Sequence, residues 1–116
     1  MASVELYYRD GCPACAEAKE FLSQHRIQYA AHDVVRDPLN AHRTMSLVGP
    51  CRKFFVKAGD EMFLWDRDQE EVPNEALRRH FVHTDGFIRI PVLIVGDTAV
   101  RGFLPEIYSE LLTTPG

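Results

Sequence analysis

The stretch Cys12-Pro13-Ala14-Cys15 sits where the chain changes its apolar period, and no other feature constrains the fold as much. Before it, Val4-Glu5-Leu6-Tyr7-Tyr8-Arg9 alternates and is rich in β-formers, which predicts a strand. Asp10-Gly11 breaks that strand. From Pro13 onward Ala14, Ala18, Phe21 and Leu22 fall on one face of a helix that ends near Arg26. Pro13 suits the first helical position, where its missing N–H costs nothing. Ile27 to Val35 reads as a second strand. A short strand–helix–strand of this kind favours a parallel pair with a right-handed crossover.

That junction has chemical consequences. A thiol attacks a disulfide only as its thiolate. At a helix N-terminus, free N–H groups and the helix dipole favour negative charge, and Cys12 is placed there. Arg9, three residues upstream, adds a cation. Cys15 lies one turn further on the same side, within reach of an intramolecular disulfide. Cys12 is therefore the expected attacking thiol and Cys15 the resolving one. A structural zinc site would need four ligands, drawing on Cys51 and one of His25, His32, His42, His80 or His83. No second CxxC and no HxxxH supports it. Two merely packed cysteines would call for neither the intervening proline nor the strand-to-helix junction.

Composition sets the frame for this chemistry. Three cysteines are too few, and odd in number, for a disulfide-stapled secreted scaffold. With 116 residues and 46% hydrophobic content, one domain over 1–116 is expected, and disorder or collagen-like repeats are excluded. A net charge of −4 argues against a nucleic-acid binder. There is no secretory signal pattern, and no apolar run approaches the roughly 18 residues that span a bilayer. A soluble, cytoplasmic monomer without membrane contact is the expectation.

The C-terminal part is equally regular. Pro91-Val92-Leu93-Ile94-Val95 is a continuous apolar run, as in a strand buried on both faces. Gly96-Asp97 signals a two-residue hairpin and Thr98 to Arg101 the returning strand. Gly102 ends it, and Leu104, Ile107, Tyr108, Leu111 and Leu112 mark a last helix with Pro105 near its start. Proline belongs at the first residue of a strand. A cis Ile90–Pro91 bond would free the Ile90 backbone to pair with an extended substrate beside Cys12; an ordinary trans proline is the alternative. Between the two ends, about residues 36–88 read as a helical insertion. One helix runs from Asp37-Pro38 to Gly49-Pro50, a short one from Pro50 to Lys57, and a third from Pro73 to Phe81. Asp66 to Glu71 is read as a charged loop.

Strand, CPxC, helix, strand, then Ile-Pro before a hairpin and a last helix resembles the thioredoxin fold, and within it the glutaredoxin and NrdH-redoxin branch. Tyr8-Arg9-Asp10-Gly11-Cys12-Pro13-Ala14-Cys15 is similar to a glutaredoxin active-site stretch. Ile90-Pro91-Val92 resembles the proline loop, and Arg101-Gly102-Phe103-Leu104-Pro105-Glu106 the turn that opens the last helix. The resemblance implies an α/β thioredoxin fold, βαβ…ββα, with a four-stranded mixed sheet and a helical insertion between the second and third strands. It implies a thiol–disulfide oxidoreductase acting on protein or low-molecular-weight disulfides. Arg9, Pro13, Arg89, Ile90, Pro91, Gly102 and Phe103 would line its substrate site. No cofactor is built in and no metal is implied; glutathione or a thioredoxin-reductase-type enzyme would supply electrons. Arg89-Ile90 stands where glutaredoxins carry Thr-Val, and Pro105-Glu106 where they carry an Asp that helps hold glutathione.

The middle resembles another branch. Cys51-Arg52-Lys53-Phe54-Phe55, Val72 to Leu77 and Asp85 to Pro91 look like the insertion of ArsC-type arsenate reductases and the related Spx regulators. The Cys-Gly-Thr-Ser-Arg loop of the reductases is absent here, and Phe103 replaces an arginine. An ArsC-related reductase lacking that loop, or a redox-sensing interaction protein of the Spx type, are the alternative readings. Cys51, read as preceding a helix, is either a third redox group or a packed cysteine. Phe54, Phe55, Phe63 and Trp65 read as core, or as an apolar binding patch. His80 and His83 read as helix-end residues, or as metal ligands.

Overall fold

In the computed structural model, which describes residues 3–113, the opening alternation forms β1 (Val4–Tyr8), and the helical period forms α1 (Pro13–Gln24). β2 (Ala30–Asp33) returns parallel to β1, with Leu6 beside Ala31. It is shorter than the expected Ile27–Val35. The N–H of Ile27 is held by the Leu22 carbonyl at 2.9 Å, and Ile27 and Tyr29 pack beneath α1 before the chain begins to pair.

The insertion departs from an all-helical reading. α2 (Ala41–Val48) is capped by Asn40, whose side chain accepts the Arg43 N–H; Asp37, the expected cap, instead pairs with the Arg43 guanidinium at 3.1 Å. The expected helix from Pro50 to Lys57 does not form. In its place β3 (Lys53–Ala58) and β4 (Glu61–Asp66) make an antiparallel hairpin about Gly59-Asp60. Phe54 and Val56 face one side of the sheet and Phe55 the other, so the run is apolar because both faces are covered. The charged stretch after Asp66 is a turn as expected, and α3 (Asn74–Phe81) follows. β5 (Val92–Val95), β6 (Thr98–Arg101) and α4 (Pro105–Thr113) complete the chain as the sequence implies.

These strands form one sheet in the order β2-β1-β5-β6-β3-β4. The first four are the expected mixed sheet. The insertion's hairpin extends it to six, β3 joining β6 in parallel. α1 and α4 cover one face over Leu6, Leu22, Leu93, Val100 and Tyr108. α2 and α3 cover the other over Val48, Phe54, Leu77, Phe81 and Val92. Burying large side chains at about 1.5–3 kcal/mol each makes these two layers the main source of stability. No helix among the described residues is long and apolar enough to cross a membrane.

Candidate active site

The dithiol lies at the carboxyl end of β1, where chains of this architecture place their ligands. Cys12 is the N-cap residue of α1, with extended backbone (φ −91°, ψ 117°), and Pro13 takes the first helical position. Its Sγ accepts the Cys15 N–H at 3.3 Å, as a capping side chain does. Cys12 is half-buried and open to an incoming disulfide, whereas Cys15 is only 1% exposed. Burial first, and then the hydrogen bond with Cys12, push the Cys15 thiol up to about 12, while contacts with Arg9 pull the other way. Cys15 is thus held as a neutral thiol under Cys12. Both are free thiols in this structure.

Two further loops are joined to each other near Arg9. The Ile90–Pro91 bond is cis. The Pro91 carbonyl accepts the Gly102 N–H at 2.8 Å, which ties the end of β6 to the proline loop. Gly102 has φ +89°, and a Cβ there would lie 2.8 Å from that of Lys57, so the close approach of β3 requires glycine. β1 and β5 are paired as far as Tyr7 and Val92, so Arg9 and Ile90 extend past the last paired residues side by side. Arg9 also accepts the Cys12 N–H through its carbonyl, at 3.4 Å.

The expected substrate residues therefore divide. Arg9 meets Cys12 through its carbonyl, Pro13 follows Cys12 in α1, and Ile90, Pro91 and Gly102 belong to the joined proline and β6 loops. Phe103 turns its ring edge-on to Phe21 and Tyr108, at 6.1 and 5.1 Å, and joins α1 to α4. Arg89 acts elsewhere. Its N–H is held by the Phe81 carbonyl at 2.8 Å, and its charge acts on Arg101 and His80. The Nε atoms of Arg89 and Arg101 are buried with no hydrogen-bond partner among the described residues.

What sequence reasoning missed is a cavity of about 260 Å³ beside Arg9 and Ile90. It opens between Val34–Leu39, entering the insertion, and Asp85–Ile90, leaving it. Two of its lining residues, Val35 and Phe87, are 64% and 45% exposed. Exposed large apolar residues in loops were the available signal, but only the three-dimensional closure of the insertion brings them together.

The remaining candidates separate from this centre. Cys51 follows the end of α2 instead of preceding a helix, and is buried; burial, then Asp97, push its thiol up to about 11, against Arg67. Phe54 is core, whereas Phe63 and Trp65 stack on the outer strand beside His80. Burial first, then Arg101, Arg79 and Arg89, lower the His80 pKa, and His83 faces Asp85 at 3.5 Å. Among the described residues no three His, Cys, Asp or Glu side chains gather as a metal group.

Comparison with known proteins agrees with this geometry. A family model described as Glutaredoxin matches residues 4–54, which include the dithiol. The global transcriptional regulator Spx of Streptococcus agalactiae is 20% identical over 124 residues, spanning 92% of this chain and 87% of that relative. A glutaredoxin structure from Archaeoglobus fulgidus superposes with a TM-score of 0.50 at 20% identity, over 96% of this chain and 86% of that one. An ArsC-family-related protein from Bacteroides fragilis gives 0.57 at 16% identity, over 94% and 97%. The chain shares the α/β thioredoxin-like fold of these structures, and its residues 4–54 are similar to glutaredoxins.

Proposed function

We propose that this protein is a thiol–disulfide oxidoreductase in which Cys12 attacks a substrate disulfide and Cys15 resolves the product. The Cys12 thiolate bonds to one substrate sulfur, and the other sulfur leaves as a thiolate. Cys15 loses its proton and attacks Cys12 Sγ, forming the Cys12–Cys15 disulfide and releasing the second substrate thiol. Two electrons have then passed from the dithiol to the substrate. Glutathione or a thioredoxin-reductase-type enzyme returns them. The protein acts as a cytoplasmic monomer with no resident cofactor, on a protein or small-molecule disulfide.

The observation that carries this reading is the asymmetry of the pair. An accessible sulfur receives a backbone N–H, directly above a buried thiol whose proton is held up to about 12. A structural pair would not need one sulfur open and the other sealed. The test is reduction of a small aliphatic disulfide, coupled to glutathione and glutathione reductase or to thioredoxin reductase. Turnover with either donor is expected, abolished in Cys12→Ser. In Cys15→Ser the mixed disulfide should accumulate and appear in the intact mass. Turnover with neither donor, or full activity in Cys12→Ser, overturns the assignment.

A further inference from the structure

Resting on that reading, we propose that the cavity beside Arg9 and Ile90 selects protein disulfides whose cysteine is flanked by a bulky apolar residue and an acidic one, in preference to glutathione-type disulfides. The cavity's walls are Val34, Val35, Leu39, Phe87, Ile88 and Ile90. Val35 and Phe87 are among the most exposed large apolar residues described, and water-facing apolar surface at the edge of a reactive centre marks a place where something docks. A volume of about 260 Å³ falls below the roughly 300–1,000 Å³ of pockets that enclose a whole drug-sized ligand. It suits one large side chain of a longer segment that lies across the surface.

Charge distinguishes the second determinant. Two charged residues line the cavity, Arg9 and Asp85. The Asp85 carboxylate already accepts the Phe87 N–H at 2.9 Å and faces His83 at 3.5 Å. The Arg9 guanidinium has no hydrogen bond or ion pair among the described residues, and the nearest demand on it is electrostatic, from Cys15. Arg9 is therefore the charged group of the lining left free to meet a substrate carboxylate. An apolar slot with a cationic lip recognises an apolar side chain next to a carboxylate. Glutathione offers a carboxylate but no bulky apolar group, and would leave the slot wet.

The position fits the chemistry. Arg9 lines the cavity and also holds Cys12 with its carbonyl, while Ile90 lines it from the loop that ends in Pro91. A residue seated there would belong to the same segment whose sulfur meets Cys12, and its burial would orient the disulfide for attack.

The test uses mixed-disulfide peptides in which the cysteine is followed by Phe-Glu, Phe-Lys, Gly-Glu or Gly-Lys, with glutathione disulfide and a small aliphatic disulfide in parallel. In the wild type kcat/KM should be highest for Phe-Glu, at least about tenfold above Gly-Glu, the scale on which apolar pockets discriminate. The Phe-Glu over Phe-Lys preference should shrink as salt rises. In the double variant Val35→Ser, Phe87→Ser, both exposed positions that leave the core intact, the Phe over Gly ratio should fall toward one. Equal rates across the panel, a ratio unchanged in the variant, or glutathione disulfide as the best substrate overturns the inference. Failure to reduce the small disulfide as well would instead overturn the proposed function.

Discussion

Cys12 and Cys51 each adjoin a helix terminus, and the two termini are of opposite sign. Cys12 begins α1, where N–H groups converge and one of them points at its sulfur. Cys51 follows α2, its N–H drawn to the Val48 carbonyl at 3.0 Å, in a region crowded with carbonyl oxygens. Arg67 gathers three of these, donating to Gly49 at 3.0 Å, Cys51 at 2.8 Å and Val72 at 3.3 Å, with its guanidinium over Phe54. The first environment leaves its cysteine half-buried and directs a backbone N–H at the sulfur. The second seals a sulfur in the core and holds its proton. A cysteine next to a helix says little about reactivity until the end is known.

Thiol labelling should separate the two most sharply. With Cys51 held up to about 11, only about one thiol in a thousand is ionised at pH 8, and burial blocks access besides. Native protein treated with iodoacetamide at pH 8 should gain one label, at Cys12, and gain the others only in denaturant. Labelling of Cys51 at a rate similar to Cys12 breaks the comparison. Next in size is the cation that closes the Cys51 end. Arg67→Met removes the guanidinium from over Phe54 and strands three carbonyls, and should cost about 3 kcal/mol in urea unfolding without changing small-disulfide turnover. It should also open Cys51 to label.

Alkali gives a smaller effect. In the unfolded chain Cys51 ionises near 9.0, whereas folded it keeps its proton to about 11. Stability from this group is complete below pH 9 and declines from there toward pH 11, by up to about 1.4 kcal/mol per pH unit. Cys15 acts in the same direction from pH 9 toward about 12. Cys51→Ala should therefore flatten the alkaline limb of a Tm-against-pH curve; an unchanged slope would place the sulfur in contact with water. The smallest effect lies under the dithiol. The Tyr108 hydroxyl is buried with no hydrogen-bond partner among the described residues, and burial, then Cys15, raise its pKa. Tyr108→Phe should leave stability unchanged or raise it by less than about 1 kcal/mol, read as a shift in denaturant midpoint.

The ends of the chain were legible because their periods are clean and their punctuation is strong. The alternation of Val4 to Tyr8, Pro13 at the start of α1, and Pro91 before an apolar run each admit one simple solution. The insertion was legible in its outer helices but not in its hairpin. Gly59-Asp60 is the same dipeptide as Gly96-Asp97, and both glycines take positive φ, +62° and +59°, at the first central position of a two-residue turn. One was read as a hairpin because clear strands flank it. The other follows a segment that reads as helix, since Lys53 to Val56 has apolar residues on both faces and therefore shows no alternation. At the site, Cys12, Cys15 and the proline loop could be read from spacing. The apolar cavity could not, because Val35 and Phe87 lie 52 positions apart and meet only through tertiary closure.

That closure has a consequence for engineering. The two stems of the long excursion between β2 and β5 come together beside Arg9. They are fastened by Ile88 N–H to Leu39 carbonyl at 3.0 Å and by the Asn40–Phe87 bridge. They form a clasp whose jaws define a mouth, while the β4 edge, with Met62 and Leu64 exposed, lies at the far side of the sheet. A designer can therefore recut the jaws to reshape the mouth, or rebuild the outer edge to tether the protein elsewhere, and in both cases leave Cys12 and Cys15 untouched.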